Sequence, residues 1–232
     1  MCIGALAYEC AAEQQRQHGR IRLGEAQDGG AGDARQERRR QLLDCARAVF
    51  AAERYAGASM EQIAERAEVS KPVLYQHFPS KHELFLELLD AEVASLRALL
   101  EAAMDTRRDN RERVRATVAA VFEYMASPER THRLIFDSGI DGDPEVRTRS
   151  EAVHRLLSSE VARTIRADTT VAEAEAEVLS RGLVGYLLGA ARHWADRLDA
   201  DARPAAAEMA RTVDALVWRG LASLPSADDA PR

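Results

Sequence analysis

The chain has 232 residues, of which 46% are hydrophobic, 5% aromatic and 30% charged, with a formal net charge of −6. That balance supports a buried core, in one large domain or a small one joined to a larger one. It excludes a disordered chain, a collagen-like fibre and a disulfide-stapled miniprotein. Three cysteines, Cys2, Cys10 and Cys45, are odd in number and lie at no metal-ligand spacing, which fits a reducing cytosol. The longest apolar stretch, residues 182–191, is about half of the ~20 residues a membrane span needs. Residues 2–8 are apolar, but no basic residue precedes them as a secretory signal requires. A cytoplasmic protein without a membrane partner is expected.

Charge is unevenly spread: −1 over residues 1–36, +2 over 37–81 and −7 over the remainder. A mildly basic module ahead of an acidic one points to a polyanion for the first. Residues 1–36 carry Gly19, Gly24, Gly29, Gly30 and Gly32 among polar residues and no sustained periodicity, so a disordered tail is expected there. From Glu37 the spacing of Leu42, Cys45, Ala46, Val49 and Phe50 predicts an amphipathic helix that Gly57 ends. Ser59 with Gln62 reads as a capping box opening a short helix through Ala67. Ser70 caps another through Phe78, with Pro72 in its first turn. Ser80 with Glu83 opens a long helix through Leu84, Phe85, Leu88, Leu89, Leu96 and Leu100.

Downstream, Asn110 is read as a cap, and Ser127-Pro128 and Asp143-Pro144 each pair a cap with a first-turn proline. Thr170 with Glu173 opens a helix of about 28 residues, and Pro204 starts the last one. No segment alternates with period two. The fold class predicted is all-α, with roughly nine helices: an N-terminal three-helix helix-turn-helix domain, then a C-terminal helical domain. The boundaries are 37–81 for the first and 82–224 for the second, with a disordered C-terminal tail at 225–232.

Tightly joined helices at 59–67 and 70–78 suggest a helix-turn-helix, whose second helix enters the major groove of DNA. Leu74 and Phe78, four apart, face the preceding helices. Gln76 suits bidentate contact with adenine, and Pro72 or Val73 suits a thymine methyl. Lys71, Tyr75 and His77 suit phosphate oxygens, as do the free N–H groups at the helix starts near Ser59 and Ser80.

The run from Ser59 to Ala67, then Val69-Ser70-Lys71-Pro72-Val73-Leu74-Tyr75-Gln76-His77-Phe78, then Ser80-Lys81-His82-Glu83-Leu84, resembles the DNA-binding signature of TetR-family transcriptional regulators. The resemblance covers about one-fifth of the chain. It implies backbone contacts by Lys71, Tyr75, His77 and Lys81, with Pro72, Val73 and Gln76 near bases. The full candidate DNA set is Ser59, Ser70, Lys71, Pro72, Val73, Tyr75, Gln76, His77 and Lys81. Glu68 departs from the pattern, because the family usually places Gly in that turn.

The resemblance further implies a homodimer on double-stranded operator DNA, its operator an inverted repeat, and a small-molecule effector in the C-terminal domain. The helix 80–103 is then the lever joining the two parts. Large side chains on later helices are the candidate pocket: Phe122, Tyr124, Met125, Phe136, His154, Tyr186 and Trp194, each equally explained as core packing. A mainly apolar pocket favours a lipophilic ligand. Gly182, Gly185 and Gly189 share a helix face, and each glycine costs about 1 kcal/mol in a helix interior. A dimer interface that also includes Val213 and Val217 compensates; room for a ligand or packing within the subunit are the alternatives.

The acids 137, 141, 143 and 145 fail the calcium-loop spacing, and His132, His154 and His193 lack a supporting Glu-x-x-His pair. No cofactor, metal or catalytic residue is expected. The function expected is that of a sequence-specific DNA-binding regulator, a repressor released from a palindromic operator by an apolar ligand. A constitutive regulator with a filled core is the alternative, and an all-α enzyme is the reading from another class.

Overall fold

A computed structural model describes residues 29–105, 109–197 and 203–221 of the chain. These residues form nine α-helices: α1 Gly29–Gly57, α2 Met60–Arg66, α3 Lys71–His77, α4 Lys81–Met104, α5 Asn110–Met125, α6 His132–Phe136, α7 Pro144–Asp168, α8 Glu173–Arg197 and α9 Ala206–Leu221. Two units are distinguished, one ending at Arg40 and the other running from Gln41 onward. In the first, residues 29–36 are helical, which corrects the expected disordered tail over that part of it. Residues 33–40 are largely exposed there, and Arg40 pairs with Glu37. The rest of the expected N-terminal tail, residues 1–28, lies outside the described residues, as does the C-terminal one.

The second unit begins with the apolar stripe of α1, where Leu42, Ala46, Val49 and Phe50 are buried. Phe50 meets Phe85 edge-on at 5.1 Å, and Tyr55 meets the same ring at 5.2 Å. This aromatic cluster fastens the end of α1 to the start of α4. Lys81 reinforces it: its Nζ donates to the carbonyls of Tyr55 and Ala58, each at 2.9 Å, and lies 4.3 Å above the Tyr55 ring. Arg47 on α1 bonds Glu92 on α4 at 2.5 Å, and burial lifts the Glu92 pKa against the pull of that guanidinium.

The helix starts follow the capping chemistry in most places. Ser59 and Gln62 cap each other reciprocally, Ser80 Oγ accepts from Glu83 N–H, and Asp143 accepts from Glu145 and Val146. Two starts differ. Asp109, not Asn110, caps α5, its carboxylate accepting from Glu112 N–H at 2.8 Å. Ser127-Pro128 opens a turn, and α6 begins only at His132 because Arg130 adopts φ 54° and interrupts the chain.

Beyond α4 the helices form a bundle. Helix α5 packs on α4, α8 and α9, while α7 packs on α8 and α4. Phe122 and Trp194 meet edge-on at 5.5 Å in its core. Asp214 on α9 is buried and takes a two-pronged ion pair from Arg111 on α5, whose guanidinium also covers the Trp218 ring. Short α6 is fixed by Asp196 of α8, which accepts from Arg133 Nε at 3.2 Å and bonds His132 Nε2 at 3.1 Å. Burial holds His132 below the usual histidine pKa despite that carboxylate, so the ring is neutral near pH 7 and donates through Nε2.

Besides Arg130, two further non-glycine residues adopt positive φ and carry conformational cost. Glu68 takes φ 53° just past α2, the left-handed position that glycine usually fills. A side chain there costs about 1–2 kcal/mol, partly offset by the freedom a glycine would lose on folding. Glu68→Gly is therefore expected to stabilise the protein by about 0.5–1 kcal/mol, read as a higher urea midpoint. An unchanged or lower midpoint would show that the turn is unstrained. Arg54 breaks α1 at φ 57°, ψ 176°, a region nearly exclusive to glycine that costs on the order of 1–3 kcal/mol.

Candidate nucleic-acid interface and interior cavity

Helices α2 and α3 meet through a four-residue turn, and their shared core is Met60, Ile63, Ala64, Leu74 and Phe78, all buried. Burial of Leu74 and Phe78 rotates the opposite side of α3 outward. Ser70, Lys71, Pro72, Tyr75 and Gln76 are exposed, Tyr75 at 46%, and Val73 and His77 are half-buried beside them. The outward face thus carries a hydroxyl, an amide, an ammonium and two apolar patches on about 10 Å of helix. Ser59 is half-buried and committed to its capping box.

Two of these side chains have partners that one-dimensional spacing does not reveal. Lys71 forms an exposed ion pair with Glu61 on α2. Such a pair is worth about 1 kcal/mol or less and yields easily to a phosphate. Lys81 spends two of its three donors on Tyr55 and Ala58, so its first role is to brace the domain.

The cavity lies elsewhere than expected. It measures about 60 Å³ and is lined by Met104 of α4, by Arg113, Val114, Thr117 and Val118 of α5, and by Leu157, Glu160, Val161 and Thr164 of α7; Leu183, Val184 and Leu187 of α8 and Val217 of α9 complete it. None of the seven candidate pocket residues is among them. Phe122, Met125, Phe136 and Trp194 are buried core side chains, Tyr124 is half-buried, and His154 and Tyr186 are exposed. The physical reason is size: the aromatic rings fill the space between helices, whereas branched aliphatic residues leave the gap. Among the lining residues, Arg113 Nη2 faces Glu160 at 3.4 Å, and Arg113 Nε donates to the Met104 carbonyl.

The glycine stripe points away from the bundle. A methyl group placed on Gly182, Gly185 or Gly189 would meet nothing within 4 Å, so these glycines do not serve close packing within the subunit. Val178 is 71% exposed and Tyr186 40% exposed on the same side of α8, and Leu216 of α9 is 57% exposed. Val213 and Val217 are corrected: both are buried in the subunit's own core, and Leu216 is the outward apolar residue of α9.

A His82, Asp143 and Glu145 group brings ligand-type atoms within 4.8 Å of one another. Asp143 already caps α7 and bonds His82 Nε2 at 3.0 Å, which explains the cluster as a tie between α4 and α7. Of the histidines considered for a metal, His132 is bonded to Asp196, and His154 and His193 are exposed.

A family model described as bacterial regulatory proteins, tetR family, matches residues 42–88. The HTH-type transcriptional activator FasR of Mycolicibacterium smegmatis is 37% identical over 191 residues, which cover 82% of this chain and 86% of FasR. The chain belongs to the TetR family of helix-turn-helix transcriptional regulators. The HTH-type transcriptional repressor KstR of the same species is 35% identical over 71 residues, 31% of this chain and 35% of KstR. FadR from Bacillus subtilis, solved in complex with stearoyl-CoA, shares the fold with a TM-score of 0.62 at 15% identity, over 77% of this chain and 96% of that one. As a member of the TetR family the chain is an all-α, DNA-binding transcriptional regulator. Among its described residues no helix is long and apolar enough to cross a membrane.

Proposed function

We propose that this TetR-family protein binds an inverted-repeat operator as a homodimer and is regulated by an amphipathic small molecule in the bundle. The observation that carries the DNA part is the outward face of α3, where Lys71, Pro72, Tyr75 and Gln76 stand clear of a core fixed by Leu74 and Phe78. Lys71, Tyr75 and His77 take the phosphates, Gln76 reads a base, and Pro72 and Val73 pack on a methyl group. Helix-start N–H groups at Ser59 and Ser70 add phosphate contacts, and Lys81 acts mainly through the geometry of α1. No catalytic step is assigned to the chain.

Tyr75→Ala is expected to weaken binding to all DNA sequences with the salt slope unchanged, because its hydroxyl is neutral, whereas Lys71→Ala should also reduce that slope by about 1. Gln76→Ala should instead relax preference at one base pair, losing about 1–3 kcal/mol of discrimination. Anisotropy titrations on an operator and its single-base variants separate these effects. Identical, sequence-blind losses from Tyr75→Ala and Gln76→Ala would remove Gln76 as a reader.

The dimer is formed by the outward faces of α8 and α9, centred on Gly182, Gly185, Gly189, Tyr186 and Leu216. The effector enters the cavity between α5, α7 and α8, its apolar part among Val114, Leu157 and Leu187 and its polar end toward Arg113. FadR's stearoyl-CoA supports a long acyl chain on a charged carrier as the ligand class. An ordinary ligand site is about 300–1,000 Å³, so such a molecule must open the 60 Å³ cavity by shifting those helices. That shift is the coupling: a ligand that needs the opened bundle disfavours the DNA-bound arrangement, and DNA weakens ligand binding by the same factor. The result is a repressor released by its ligand.

The small cavity also gives weight to a second reading, a constitutive regulator with a filled core. Thermal melts with stearoyl-CoA, run beside operator titrations, decide between them. A rise in melting temperature with loss of operator affinity supports the effector; no change in either supports the constitutive form.

A further inference from the structure

The break in α1 at Arg54 has a specific product. Because the backbone turns out of the helix there, the Tyr55 N–H leaves the helical ladder and donates to the Ser138 carbonyl at 3.0 Å. The Arg54 guanidinium reaches past it to Asp137 Oδ2, with Nη2 at 2.6 Å and Nε at 3.0 Å. Gly139, at φ 81°, closes the loop beside the Arg54 side chain. One helical turn earlier, Arg133 donates to the Ala51 carbonyl at 3.4 Å while its Nε holds Asp196. Residues 133–139 therefore grip the end of α1 on one side and α8 on the other.

The ion pair does not repay the strained backbone. Arg54 is about half exposed and Asp137 about a third, and pairs at the surface add little to stability. Strained residues that persist without such a return are found where geometry itself is the product. The geometry concerned is the end of the helix that carries the DNA-reading unit: Phe50, Tyr55 and Lys81 weld that end to the start of α4, just beyond α3.

We propose that Arg54, Asp137 and the Tyr55–Ser138 backbone bond form a joint that sets the separation of the two recognition helices in the dimer. Arg54 and Asp137 are positioning residues that touch the bundle and not the DNA. The inference rests on the reading that the protein binds a two-half-site operator as a dimer.

The test is half-site spacing. The full-length protein selects an operator from a random duplex pool, and anisotropy then compares that operator with copies carrying one base pair more or fewer at the centre. Wild type should bind the altered spacings at least about tenfold more weakly. Asp137→Ala should cut that penalty below about threefold while leaving single half-site affinity and melting temperature unchanged. Arg54→Gly holds the turn without steric cost but lacks the guanidinium, so it should melt no lower than wild type and lose the same spacing preference. The exchanged pair Arg54→Asp with Asp137→Arg should restore most of it. A full spacing penalty in both single variants would overturn the joint, as would a penalty that falls only in step with half-site affinity and melting temperature. Failure of wild type to select any operator would instead sink the DNA reading beneath it.

Discussion

Gly185→Arg should yield a protein that folds normally, elutes as a monomer and binds its operator at least about a hundredfold more weakly than wild type. Three observations lead to this expectation. Nothing lies within 4 Å of a methyl group built on Gly185, so the arginine projects outward without disturbing the subunit core. Arginine is also a better helix former than glycine, so α8 itself gains stability. The outward face of α8 carries its glycine row, Val178 and Tyr186 beside the exposed Arg181 and Arg192. The glycines leave room for another helix to approach closely, and a long cation at the centre fills that room and adds like charge. Separate subunits then pay independently for each half-site, and the gain from linked binding disappears. Size-exclusion with light scattering and an operator titration measure both effects. A dimer that survives Gly185→Arg with full affinity would move the interface away from α8.

Phe85→Ala is expected to cost about 3–5 kcal/mol, on the order of 10 °C in melting temperature. Phe85 is fully buried and contacts both Phe50 and Tyr55 through ring edges at 5.1 and 5.2 Å. Truncation leaves a cavity between α1 and α4 and loosens the Tyr55 carbonyl that Lys81 holds. The loss should fall on DNA binding as well as stability, because the same cluster anchors the helix-turn-helix. Lys81→Met separates the contributions, since it removes the carbonyl clamp but leaves the rings. A melting loss below about 1 kcal/mol for Phe85→Ala would show that the cluster is not the anchor.

The DNA-reading module was legible because its signals are local. Capping pairs such as Ser59 with Gln62 and Ser80 with Glu83 act over three residues, and the alternation of buried Leu74 and Phe78 with exposed Tyr75 and Gln76 follows from helical spacing alone. Even the awkward Glu68 was foreshadowed by a turn that suits glycine, and the chain resolves it by taking φ 53°. The bundle was far less legible. Arg111 finds Asp214 across 103 positions, and Arg54 finds Asp137 across 83, distances over which pattern carries no information. Large rings suggested a pocket, yet Phe122 and Trp194 pack edge-on against each other and close the space they were expected to line. Which of two apolar faces on α9 looks inward depends on how α5 meets it, so Val213 and Val217 turned in and Leu216 turned out.

The most direct measurement of the account is a hydroxyl-radical footprint of the intact protein on duplex selected from its own genomic promoters at low salt. Two protected patches related by a two-fold axis and lying on successive major grooves, both lost on Gly185→Arg, are the predicted result. A single unsymmetrical patch, or uniform protection that the change leaves untouched, would contradict it.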